Sequence, residues 1–246
     1  MKKYKIILGI VFILFALLTS CRMKSVSQEN KTTKKDQNIP DSAVGFGYKF
    51  MWIAVKTREK ERVADVLGLK DLTNCNWETG IDSAYGKGIF ITPTIDGWTL
   101  VCGWGLAYSG IADIGNKKES FDTLKAHLKT LSEVFGEAQF FCTQRIAEYH
   151  CWIKALHGEI VREYCISGEI GEVILDEGES TDFEKGYYIA KTFSEQEEYY
   201  TRKGLKNVTV LDEDFVMKVA RNWSIDPTQL DKRADLFGKF GLIGKE

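Results

Sequence analysis

The residues best suited to chemistry in this chain fall in one stretch. Glu148 and His150 stand two apart, and Cys165 follows across a short turn. A thiol beside an imidazole, with a carboxylate near, is the constellation of a cysteine hydrolase. That geometry requires a β-hairpin. His157-Gly158 suits a two-residue turn with glycine second, between β-rich runs at 148–156 and 159–167. Around that turn, positions summing to 315 are opposite, so Leu156 meets Glu159, Lys154 meets Val161, Trp152 meets Glu163 and His150 meets Cys165. Alternation sends Tyr149, Cys151, Ile153, Ala155, Ile160, Arg162, Tyr164 and Ile166 to a core-like face. Glu148, His150, Trp152, Lys154, Glu159, Glu163 and Cys165 take the other face, which reads as polar, aromatic and open. The same face offers a binding alternative, with Trp152 as an aromatic anchor flanked by Lys154 and Glu163. No glycine-flanked nucleophile turn accompanies Cys165, which favours binding over catalysis.

The scaffold that must hold these residues reads as α+β, a mostly antiparallel sheet with packed helices. A dense apolar run predicts a strand over Tyr48 to Val55. Val63, Val66 and Leu67, stopped by Gly68, predict a helix after it. Gly88 to Thr94 and Trp98 to Trp104 predict strands about Asp96-Gly97, a dipeptide that accepts positive φ in a tight turn. Trp98 and Trp104 share strand parity and are assigned to the core. Ser120 is the expected N-cap of a helix reaching Phe135, with Phe121, Leu124, Leu128 and Leu131 on its apolar face and Gly136 as its stop. With a strand over 139–144, residues 49–144 follow the βαββαβ order of a ferredoxin-like core. The hairpin and a helical C-terminus over 212–246 extend it. There Phe215, Val216, Val219, Ala220 and Trp223 have helical spacing, and Asp226-Pro227 restarts a helix with an acid cap and proline first.

Charge narrows the function. Glu169 to Glu198 holds ten acids and two lysines, which predicts an acidic surface excursion over 169–200. Asp176, Glu177 and Glu179 in it are candidates to contact a basic partner, since they lack the spacing and central glycine of a calcium loop. No CxxC spacing supports zinc, and neither metal nor cofactor is expected. Cys75, Cys102, Cys142, Cys151 and Cys165 are odd in number and read as small buried hydrophobes rather than a disulfide framework.

The first residues carry one resemblance. Lys2, Lys3 and Lys5 precede an apolar stretch from Ile6 to Leu18, closed by Leu18-Thr19-Ser20-Cys21. This resembles the lipobox of bacterial lipoproteins. The resemblance implies a signal peptide over 1–20, diacylation of Cys21 with palmitate-type chains, and stable membrane anchoring by two or more acyl chains. Residues 21–43, rich in Ser, Thr, Lys, Gln and Asn, read as a disordered tether, and 44–246 as a single globular domain. The whole chain has 33 basic residues; less the three leader lysines, against 35 acids, the mature net charge is −5. That excludes nucleic acid as a bulk electrostatic partner. Arg22 is not the aspartate that resembles an inner-membrane retention signal. A periplasm-facing outer-membrane position is therefore expected where the source has two membranes. The leading functional expectation is a non-enzymatic, envelope-anchored protein-binding domain, immunity-like, with a basic protein as partner. The alternatives are a cell-envelope hydrolase using Cys165, His150 and Glu148, and a structural envelope accessory.

Overall fold

The computed structural model describes residues 37–107, 117–204 and 209–246. The lipobox, Cys21 and residues 21–36 of the expected tether lie outside the described residues. Among those described, β1 (Phe50–Val55), β2 (Lys70–Cys75), β3 (Ile89–Ile91), β4 (Thr99–Cys102), β5 (Glu137–Gln144), β6 (Tyr149–Leu156), β7 (Glu159–Ser167), β8 (Glu172–Gly178) and β9 (Gly241–Lys245) form one sheet. Its order is β2-β9-β3-β4-β1-β5-β6-β7-β8, antiparallel throughout. The helices are α1 (Lys60–Val66), α2 (Trp77–Tyr85), α3 (Lys117–Phe135), α4 (Phe193–Lys203) and α5 (Glu213–Trp223). No helix among the described residues is long and apolar enough to cross a membrane.

The sheet is covered on both faces, which explains why β1 is apolar without alternation. Phe50, Trp52 and Ala54 pack with α2 and α5, whereas Met51, Ile53 and Val55 pack with α1 and α3. Local signals hold well. Asp96 and Gly97 both take positive φ, 49° and 88°, and Ile95 and Trp98 exchange two 2.8 Å backbone hydrogen bonds across them. Gly136, at φ 88°, follows the last residue of α3. Its start differs: the helix begins at Lys117, so Ser120 is a buried position within it and not its N-cap.

Three stretches depart from expectation. The acidic stretch 169–200 is built into the fold, supplying β8 and most of α4. At the C-terminus the helices stop early. Asp226 caps as expected, accepting from the Thr228 N–H, but over a 3-10 turn at Pro227–Lys232. The chain then enters the sheet as β9, between β2 and β3. Its glycines hide it from sequence patterns and let it fit: a Cβ on Gly241 would run into the Phe90 ring and the Ile91 carbonyl.

Residues 37–43, assigned to the tether, lie against the domain. The Asn76 N–H donates to the Gln37 carbonyl, and the Asp41 carboxylate accepts from the Trp77 and Glu78 N–H groups at 2.9 and 2.8 Å. These are the orphan donors of the first turn of α2, which a carboxylate satisfies with help from the helix dipole. Asp41→Ala is expected to cost about 1 kcal/mol. Urea denaturation checks it; an unchanged midpoint would mean that the Asp41 carboxylate does not stabilise α2.

Candidate functional site

The β6–β7 hairpin has the expected turn, with His157 and Gly158 both at positive φ (48° and 87°), and an unexpected register. Leu156 pairs with Glu159 and Ala155 with Ile160, but Lys154 then pairs with Arg162. Val161 is an extra residue, a β-bulge. A bulge shifts all later pairs by one, and a one-residue shift exchanges the faces of a strand relative to its partner. The observed pairs are therefore Ile153 with Glu163, Trp152 with Tyr164, Cys151 with Cys165 and His150 with Ile166.

This corrects the expected constellation. Cys165 points into the core beneath α3, level with Cys151 and, one strand further, Cys142. His150 belongs to the opposite face, buried, with its Nδ1 2.9 Å from the Thr143 Oγ1. Burial pushes its pKa down to about 4, so the ring is neutral at pH 7. Glu148 sits just before β6 at φ 44° and lines a cavity with His150. Cysteine and histidine are thus divided by the sheet. None of the five described cysteines is disulfide-bonded, and all are buried. Desolvation raises the Cys142 and Cys151 thiols far above their ordinary range.

The expected open face is also corrected, because α5 and the turn at Glu184–Gly186 cover it. Trp152 is fully buried, stacked on Tyr164 at 4.7 Å and against Phe215 at 5.4 Å. Glu163 is buried on the other face and holds Lys125 at 2.8 Å. Lys154 is bound to Glu137 at 2.9 Å and lies over the Trp223 ring. Asp176 accepts from the Arg162 Nη1 at 2.6 Å. Only Glu177 and Glu179 of the six expected binding residues are exposed.

Sequence reasoning missed the pair that organises this half of the sheet. Arg162 is 1% exposed and Glu184 fully buried. The Arg162 Nε and the Trp152 Nε1 both donate to Glu184 Oε1 at 2.9 Å, while the Thr181 N–H and hydroxyl donate to Oε2 at 2.8 Å. The Arg162 Nη1 also donates to the Glu177 carbonyl at 3.2 Å. One buried ion pair thus ties β6, β7, β8 and the following turn together. Two signals were legible: an arginine inside an otherwise apolar face implies a buried acid, and Thr181-x-x-Glu184 is a capping-box spacing.

With the inner acids accounted for, the outer ones define the surface. Among the described residues β8 ends the sheet and pairs only with β7. Glu169 just before it, and Glu172, Glu177, Glu179, Asp182, Glu195, Glu197 and Glu198 on or after it, are exposed. Among the described residues, no group of three or more His, Cys, Asp and Glu side chains is placed to hold a metal ion. No protein-family model, curated protein or solved structure matches the chain.

Proposed function

We propose that this chain is a membrane-anchored, non-enzymatic binding domain that captures a basic protein along the acidic edge of its sheet, an immunity-like role in the cell envelope. One observation carries the reading: the terminal strand β8 bears exposed Glu172 and Glu177, with exposed Glu179 just past its end, and its outer edge has no strand partner among the described residues. Such an edge can accept an extended segment by strand addition. The carboxylates raise the encounter rate with a cationic partner and discourage pairing with a second copy of the acidic strand. The buried Arg162–Glu184 pair supports this use, since it fixes the edge before a partner arrives. Anchoring through Cys21, by resemblance to the lipobox, would hold the domain where an incoming protein crosses the envelope. The adjacent quartet β3-β4-β1-β5, with α1 and α3 together on one face, supports a ferredoxin-like unit whose first crossover carries β2 and α2 as an insertion.

The test is affinity capture from native membranes at low and high salt, with wild type and the triple variant Glu172→Lys, Glu177→Lys, Glu179→Lys. Reversing rim charges acts mainly on association, so the expected loss in on-rate is about tenfold or more at low salt. A retained protein lost both at high salt and in the triple variant supports the reading. Capture indifferent to these three charges would sink it.

A further inference from the structure

Beyond that edge, on the same half of the sheet, lies a cavity of about 310 Å³ that the binding reading does not use. It is at the small end of ligand pockets. Ile166, Phe193 and Leu211 supply apolar wall, and His150, Gln196 and Tyr200 supply polar groups. Gln196 is the informative residue. It is 3% exposed, it lines the cavity, and its amide oxygen has no hydrogen-bond partner among the described residues. Tyr200, one helical turn on, takes a hydrogen bond from the amide N–H, and its hydroxyl also accepts from the Leu211 N–H at 2.9 Å. Leaving the oxygen of a buried amide unmade is costly, and a buried polar group kept at that cost has a use outside the resting structure.

We propose that this cavity binds a small, neutral, largely apolar molecule through an amide-like edge, which Gln196 meets with one donor and one acceptor. The chemistry selects that class. A side-chain amide presents N–H and C=O side by side, which complements a carboxamide or lactam in a paired contact. Anions are disfavoured: Glu148 and Glu197 line the cavity, no lysine or arginine among the described residues does, and the buried His150 ring is neutral at pH 7. The apolar wall takes the rest of the molecule out of water.

Benzamide is a suitable probe, with benzoate as its anionic counterpart of like shape. Benzamide is expected to shift the Gln196 side-chain amide resonance of the wild-type protein saturably, and benzoate to leave it unmoved. Gln196→Met keeps length and volume while removing the unmet oxygen. It should weaken benzamide binding by about tenfold or more and raise the melting temperature by about 2–4 °C. The proposal is overturned if benzamide produces no saturable shift, if benzoate binds equally well, or if Gln196→Met melts below wild type. The last result would mean that ordered water satisfies the amide and that its role is structural. The benzamide–benzoate contrast stands on the wild-type protein alone, so a variant that fails to fold leaves the decision intact.

Discussion

Glu184→Ala is expected to lower the stability of the domain by about 3–5 kcal/mol, because it strands a buried guanidinium. The carboxylate is fully buried and takes four hydrogen bonds, from Arg162, Trp152 and both donors of Thr181. Without it, Arg162 keeps Asp176 and backbone carbonyls as partners, yet its Nη2 already has none among the described residues. For a domain this size the loss corresponds to a fall in melting temperature of about 10 °C. Glu177→Ala, an exposed acid in the same segment, should change stability by no more than about 0.5 kcal/mol. Arg162→Met combined with Glu184→Gln should be milder than Glu184→Ala alone, since it removes the guanidinium that has lost its buried partner and leaves an acceptor for Trp152 and Thr181. Urea titration of the four proteins decides the matter. If Glu184→Ala and Glu177→Ala unfold at the same midpoint, the buried pair is not what holds β8 in place. The loss should also persist at high salt, where capture along the exposed edge should not, because buried charges are screened far less than surface ones.

The second large effect is a loss of stability in mild acid through His150. Its folded pKa is about 4, against about 6.5 in an unfolded chain, so the unfolded state binds the proton first. Stability is therefore intact above about pH 6.5, falls as the pH drops toward 4, and levels off below that. A shift of this size amounts to about 3 kcal/mol across the window. The groups sharing its cavity include Glu148 and Glu197, whose charges would favour the imidazolium, and Tyr200, which stays neutral throughout. Desolvation nonetheless governs the ring, and Thr143 is its only hydrogen-bond partner among the described residues. In His150→Gln the slope of stability between pH 6.5 and 4.5 should flatten relative to wild type. Equal slopes in the two proteins would show that the imidazole charges in the folded state without penalty. Carboxylates held low by partners, such as Glu137 beside Lys154 and Asp235 beside Arg233, lose their contribution at lower pH and cancel in the comparison.

Together these two effects place the hairpin residues inside the protein, where sequence had placed several outside. Glu148, His150 and Cys165 were singled out in the sequence as one constellation suited to chemistry. Two of them line a cavity, and the third lies across the sheet from it. Trp152 was read as a surface anchor because a hairpin with one apolar and one mixed face suggests a solvated side. Here the mixed face is covered by α5 and by the turn carrying Glu184, residues 32 to 71 positions further along the chain than Trp152.

What the sequence determined by itself was what depends on near neighbours. The positive-φ turns at Asp96-Gly97 and His157-Gly158, the apolar stripe of α3, the Asp226 cap and the antiparallel α+β class all follow from local backbone preference and periodicity. Tertiary structure alone decided the rest. The bulge at Val161 moves Cys165 to one face and Arg162 toward Glu184, β9 enters between β2 and β3, and Gln37 to Ala43 dock beside α2. Each of these choices is settled by burial against segments distant in the chain. A strand can shift its register by one residue at small local cost, and which face it then buries is decided by the layers waiting on either side.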